Sequence, residues 1–178
     1  MPLPTSRFDI WSCTKTFTGT AWGMLLDQSR KCLLLDNQKV ELDSSAYSFF
    51  PKDYKITDNR KESITIRHLL TMTSGIAGEA TGLYGVPTTI DQGPFEHALG
   101  YCNNRYGKKT DTLIAEPGMK WDYSDPAMAH LSLLFKTIMG QEIDDYMQEK
   151  FSIHLELNTL VGMLWAGENF QAIIQTHT

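Results

Sequence analysis

Trp11-Ser12-Cys13-Thr14-Lys15-Thr16-Phe17-Thr18-Gly19, written WSCTKTFTG, is the stretch on which the reading of this chain turns. It sets a serine hydroxyl one helical turn before a lysine amine. Side chains at i and i+3 of a helix share a face, with Cβ atoms roughly 5–6 Å apart, close enough for one hydrogen bond. A serine hydroxyl is a weak nucleophile at neutral pH. A lysine in an apolar pocket, where burial disfavours the charged form, can take its proton. A helix N-terminus beneath Ser12 would also favour the oxyanion formed on attack. A plainer role fits the same residues, because serine is a preferred N-cap and a Ser-x-x-Lys spacing recurs by chance.

Outward from this stretch, Phe17, Ala21, Met24 and Leu25 recur at helical spacing and Asp27-Gln28-Ser29 marks an exposed end, which predicts a helix over about 12–28. Gly19 and Gly23 lie inside it, weakening the helix while permitting another element to approach closely. A central, packed helix is expected. SITIRHLLTMTSG predicts a compact second helix ended by Gly75, and Gly75 to about Lys120 reads as a long loop with one short helix at PFEHALGYC. Asp125-Pro126 opens AMAHLSLLFKTIMG, where Met128, Leu131, Leu134, Phe135 and Ile138 form an apolar stripe closed by Gly140. A further helix is expected from about Glu142 to Phe151. Convincing strand alternation is missing before the last segment, and no internal repeat or low-complexity tract is found.

The bulk properties narrow the function. At 178 residues and 42% hydrophobic content, one domain with its own core is expected. A net charge of −5 with scattered Lys and Arg leaves no basic face for a phosphate backbone, so nucleic acid is not an expected partner. No apolar run reaches the roughly 20 residues that cross a bilayer, and MPLPTSRFDI lacks the blocks of a secretory signal, so a cytoplasmic location without a membrane is expected. Cys13, Cys32 and Cys102 are widely spaced and suit reduced thiols rather than a disulfide framework or a zinc site. No cofactor and no metal is expected.

SCTKTFTGTAWGMLLDQ, then ITIRHLLTMTSGI, then EPGMKWDYSDPAMAHLSLLFKTIMGQEIDDYMQEKF occur in an order and spacing that resemble the serine beta-lactamase and penicillin-binding-protein superfamily. The likeness is to its class C beta-lactamase-related esterases and D-alanyl-D-alanine carboxypeptidases, and it covers roughly residues 8–151. It implies a beta-lactamase/transpeptidase-like α/β fold, a sheet with a helical lobe, of which this chain carries mainly the helical lobe and few strands. It also implies that Ser12 is acylated by substrate and that Lys15 assists proton transfer. The family's second motif is Tyr-x-Asn, here Tyr123-Ser124-Asp125, which makes Tyr123 a general acid or base.

Asp125 departs from that motif. An asparagine amide donates to a substrate carbonyl, whereas an ionised aspartate only accepts, so recognition of an amide or lactam is put in question. Asp followed by Pro is also a frequent start of a helix, which gives Asp125 a structural role beside a substrate-binding one. Trp121 either lines a substrate pocket or packs as an ordinary aromatic. His68 reads as structural, and Cys13 as buried and inert.

The family's third motif, Lys-Thr-Gly or His-x-Gly on a strand beside the nucleophile, has no counterpart after Tyr123, and the stretch before Ser12 is shorter than the family's. Residues 152–178 are atypical. Where the family continues with a segment like IFxPLGI, this chain reads FSIHLELNTLVGMLWAGENFQAII, and one back-translation read in another frame begins FHPFGIE. A frame-shifted tail on a truncated relative is the expectation. Two functions stand: a serine hydrolase forming an acyl-enzyme on a small ester, or less readily on a beta-lactam or D-Ala peptide, and a catalytically incomplete ligand-binding remnant. A homo-oligomer that covers the exposed helical lobe is a third possibility.

Overall fold

A computed structural model describes residues 11–50, 56–78 and 111–152, together with the backbone of two strands at 159–166 and 169–176. Its elements are α1 (Thr14–Arg30), α2 (Ile66–Leu70), α3 (Asp125–Met139), α4 (Ile143–Met147), β1 (Thr159–Ala166) and β2 (Asn169–Thr176). The expected helix at PFEHALGYC lies outside the described residues.

Helix α1 begins two residues later than the periodicity predicts, because the chain first makes a 3-10 turn at Trp11–Cys13. Ala21, Trp22 and Leu25 are fully buried, and the helix packs against α3 and α4. Burying a side chain such as Leu25 contributes about 1.5–3 kcal/mol, so this apolar face is what holds α1 in the centre. The Trp22 indole N–H donates to the Leu131 carbonyl at 3.2 Å, a polar pin inside the apolar contact. The two glycines do not serve the close approach expected of them. A Cβ at Gly19 or Gly23 would meet nothing within 4 Å, and both lie on the exposed face.

Helix α2 is shorter than its sequence suggests, since the chain turns at Met72, with φ 57°, before reaching Gly75. Thr65 and His68 form a reciprocal capping box: Thr65 Oγ1 accepts from His68 N–H and His68 Nδ1 accepts from Thr65 N–H. His68 is therefore structural, as expected.

Helix α3 follows the predicted stripe closely. Met128, Leu131, Leu134, Phe135 and Ile138 are all buried, and Gly140 ends the helix in the left-handed region at φ 67°. Its N-cap is Ser124, whose Oγ accepts from Ala127 N–H at 3.2 Å, and not Asp125. His130, fully buried on α3, donates from Nδ1 to the Pro126 carbonyl and accepts from Tyr47 O–H at Nε2, each at 2.8 Å. That link ties α3 to the 3-10 turn Ala46–Phe49. Helix α4 is followed by a π-helical turn, Gln148–Ser152, and Gln28 reaches from α1 to donate to the Tyr146 hydroxyl at 2.8 Å.

Strands β1 and β2 pair antiparallel, from Thr159 opposite Thr176 to Ala166 opposite Asn169. They are the only strands among the described residues, so the described chain is predominantly helical, as expected.

Candidate active site

Ser12 lies in the 3-10 turn immediately ahead of α1, at a helix start whose N-cap position, Cys13, makes no side-chain capping bond. Its hydroxyl is directed elsewhere. Ser12 Oγ is 2.5 Å from the Tyr123 hydroxyl, and Lys15 Nζ donates to it at 3.3 Å. The i, i+3 spacing thus brings serine and lysine together even though the first of them precedes the α-helix.

Lys15 Nζ lies 2.5 Å from Asp125 Oδ1 and 4.7 Å from the centre of the Tyr123 ring. Burial works against its charge. The hydrogen bonds to Asp125 and Tyr123, with the charges of those groups, outweigh burial, and the pKa is raised above the ordinary lysine value. The sequence reading expected an apolar pocket and a neutral lysine. The structure places a carboxylate against the amine instead, which holds Lys15 as the ammonium.

Tyr123 reaches the site because the segment before it is docked onto the turn after α2. Gly118 N–H donates to Thr73 O at 2.7 Å, Ile114 N–H to Gly75 O at 2.9 Å and Asp122 N–H to Met72 O at 3.0 Å. Two glycines let the backbones touch. A Cβ on Gly75 would fall 2.2 Å from the Ala115 carbonyl oxygen, and one on Gly78 would fall 2.0 Å from the Tyr123 carbonyl oxygen. Asp122, 4% exposed, accepts from Gly78 N–H at 3.4 Å.

An ionic clamp holds the other end of the same segment. Asp58 accepts from Arg60 through both carboxylate oxygens, at 3.0 and 2.7 Å, and from Leu113 N–H at 2.8 Å. Arg60 also donates to the Leu113 carbonyl at 2.8 Å and to Glu116 at 3.2 Å. These contacts hold the Asp58 carboxyl well below the usual carboxylate range, the Arg60 hydrogen bonds being the largest cause.

Asp125 is the first residue of α3 and turns its carboxylate onto Lys15, while Ser124 supplies the cap. Trp121 is 61% exposed, with its ring 6.4 Å from that of Tyr123, so it is not a packed core aromatic. Cys13 is exposed, contrary to expectation, because residue 13 falls on the open side of the turn that presents Ser12. The structure therefore brings Ser12, Lys15, Tyr123 and Asp125 together, with Trp121 beside them. The residues not anticipated from the sequence are the ones that place Tyr123. Ser124 carried a readable signal, a serine directly ahead of Asp-Pro and an apolar helix. Gly78 and the Asp58/Arg60 clamp carried none, because their partners are dozens of residues away.

The chain is similar to known proteins in sequence and in fold. A family model described as Beta-lactamase matches residues 3–159. Protein flp of Staphylococcus aureus is 26% identical over 159 residues in strain MW2 and 30% identical over 149 residues in strain N315. These matches take in 86% and 81% of this chain but 28% and 26% of flp, so the chain spans little more than a quarter of the length of these relatives. Among solved structures, a beta-lactamase/D-alanine carboxypeptidase from Pseudomonas syringae aligns over 96% of this chain and 41% of its own, with a TM-score of 0.62 and 22% identity. A D-amino acid amidase from Ochrobactrum anthropi aligns over 91% of this chain and 42% of its own, with a TM-score of 0.62 and 21% identity. An octameric penicillin-binding protein homologue from Pyrococcus abyssi aligns over 97% of this chain and 40% of its own, with a TM-score of 0.60 and 20% identity. The fold is beta-lactamase/transpeptidase-like, and the described residues carry mainly its helical lobe. With the family model covering most of its length, the chain belongs to the beta-lactamase family.

Proposed function

We propose that this chain carries the acylation site of a serine hydrolase that acts on small esters, with Ser12 as nucleophile and Tyr123 and Lys15 as its proton-handling partners. The observation that supports it most is the meeting of Ser12 Oγ with the Tyr123 hydroxyl at 2.5 Å and with Lys15 Nζ at 3.3 Å, two partners that lie far apart in the sequence. As Ser12 attacks an ester carbonyl, the phenolate form of Tyr123 accepts the serine proton across that short contact. Lys15, held as the ammonium, faces the negative charge that this exchange moves between the two oxygens. Tyr123 then returns the proton to the leaving oxygen. Asp125 and Trp121 border the position where substrate would lie.

An ester is favoured over a lactam or D-Ala peptide because Asp125 replaces the amide donor of Tyr-x-Asn with a group that only accepts. A second reading, a module that binds or is acylated without turnover, is favoured by Asp125, which offers a substrate carbonyl no amide donor where the family has asparagine. A second copy of the chain is the partner this reading adds.

Intact-mass analysis after exposure to a fluorophosphonate tests the nucleophile. A single adduct on the wild-type protein that is lost in Ser12→Ala supports the reading, and an unmodified wild-type Ser12 overturns it. Release of p-nitrophenol over many turnovers separates the hydrolase from the acylated module. Sedimentation that finds only monomer removes the second copy.

A further inference from the structure

Tyr123 reaches Ser12 from an extended stretch, and the alternation of that stretch decides what stands next to it. Residues 120–124 form no helix or turn, and Ser124 is extended at φ −141° and ψ 104°. Successive side chains of an extended chain point to opposite faces. Asp122 and Ser124 take the inner face, 4% and 1% exposed, and Trp121 takes the outer one, 61% exposed. Trp121 therefore shares a face with Tyr123. The two rings lie 6.4 Å apart and 55° to one another, a spacing at which aromatic rings interact. The Tyr123 hydroxyl is in turn 2.5 Å from Ser12 Oγ, and Ser12 is itself exposed. An open indole thus stands one ring away from the hydroxyl that meets the attacking oxygen.

Four large apolar side chains are exposed among the described residues, Leu33, Leu35, Met119 and Trp121, and two of the four belong to the short segment that ends in Tyr123. Met119 is 79% exposed. A tryptophan buries about 150–250 Å² when it is covered, so an indole left open beside the reacting groups holds much apolar area for a ligand to remove from water. We propose that Trp121 is the specificity-determining residue of this site, an open platform on which an aromatic group of the acyl compound stacks while Ser12 attacks. The inference rests on Ser12 being acylated as described above. It needs no enclosing pocket, because one flat ring laid on another already excludes water from both. Stacking also differs from plain apolar contact. An aromatic ring gains a ring–ring interaction beyond the area it buries, whereas a saturated ring of similar size gains the area alone.

Thioesters in two matched pairs test it. The thioacetates of 2-phenylethanethiol and 2-cyclohexylethanethiol carry the ring on the leaving side, and the S-ethyl thioesters of 3-phenylpropanoic and 3-cyclohexylpropanoic acid carry it on the acyl side. In each, Ser12 Oγ bonds to the acyl carbon, the C–S bond breaks, and the serine proton passes to the Tyr123 oxygen and on to the leaving sulfur. Acyl transfer is followed by intact mass and by thiol release, and each rate is divided by that of hydroxide attack on the same thioester. The wild-type protein is expected to favour phenyl over cyclohexyl at least about threefold in one pair, and that pair tells which side of the scissile bond lies on Trp121. Trp121→Phe is expected to keep the preference and Trp121→Leu to abolish it. Leu35→Ala, which removes an exposed apolar side chain from the turn after α1, is expected to leave it unchanged. No preference in either wild-type pair, a preference that survives in Trp121→Leu, or one that is lost in Leu35→Ala overturns the proposal. Folding is checked by circular dichroism, with Trp121→Gln replacing Trp121→Leu should the latter not fold. Failure of both to fold means that the ring is packed rather than open, and overturns the proposal as well. A small alkyl fluorophosphonate separates the two readings. No adduct on Ser12 overturns the acylation reading, whereas an adduct without acyl transfer from any of the thioesters overturns this proposal alone.

Discussion

Gly78 lies so close to Tyr123 that a Cβ built on it would fall 2.0 Å from the Tyr123 carbonyl oxygen and 3.1 Å from Asp122 Oδ1. The carbonyl is part of the backbone that leads into α3, so it cannot swing aside as a flexible side chain would. Gly78→Ala must push that strand of backbone away, at a cost of about 1–3 kcal/mol in line with overpacked cores. Tyr123 moves with it. The expected outcome is a lower Tm in calorimetry together with slower fluorophosphonate labelling of Ser12. Unchanged Tm and labelling would show that the two backbones do not touch.

The Lys15–Asp125 contact predicts a stability that depends on alkaline pH. Burial opposes the ammonium, yet the contacts with Asp125 and Tyr123 raise the pKa of Lys15 above its unfolded value. The folded state then binds the proton more tightly than the unfolded chain. Its contribution is full below the unfolded lysine pKa of about 10.4 and is lost as pH rises through the higher folded value. Thermal unfolding between about pH 8 and 11 should therefore fall more steeply in the wild type than in Lys15→Met. Parallel curves would count against the ion pair.

Acid acts on a different clamp. Arg60, the Leu113 N–H and Arg60's own backbone N–H all stabilise the Asp58 carboxylate, so its folded pKa is depressed. A depressed carboxyl contributes stability that is present above its unfolded pKa of about 3.9 and is lost as pH falls toward the folded value. Asp58→Asn should lower Tm at neutral pH and flatten the loss of stability below about pH 4. Because the clamp holds the 111–123 segment that ends in Tyr123, the same variant should also slow Ser12 labelling, whereas removing the exposed pair Arg67–Asp43 should not.

Gly19 and Gly23 predict a gain. Both occupy the interior of α1, and beyond the helix's own backbone neither would bring a new Cβ within 4 Å of an atom. Alanine removes backbone freedom from the unfolded chain and loses no contact in the folded one, so Gly19→Ala and Gly23→Ala should each stabilise by about 0.5–1 kcal/mol. The two effects should add in denaturant titrations. A loss of stability at either position would mean that an element packs there after all.

What could be read along the chain was whatever depends on neighbours a turn away. The stripe of α3, its end at Gly140, the buried face of α1 and the pairing of Ser12 with Lys15 all follow from helical spacing, which is a local property of the backbone. The tertiary structure decided the rest. Gly19 and Gly23 suggested a close approach, but the approach is made at Gly75 and Gly78, whose partners Ala115 and Tyr123 are some forty residues further on. Cys13 suggested burial beside the nucleophile and is exposed on the 3-10 turn that carries Ser12. The protonation of Lys15 shows the difference most clearly. Spacing from Ser12 located the amine, but its charge is set by Asp125, which is 110 positions away and reaches it through the docking of α3 on α1. A charge is governed by the field at its position, and that field is assembled only when distant segments have packed.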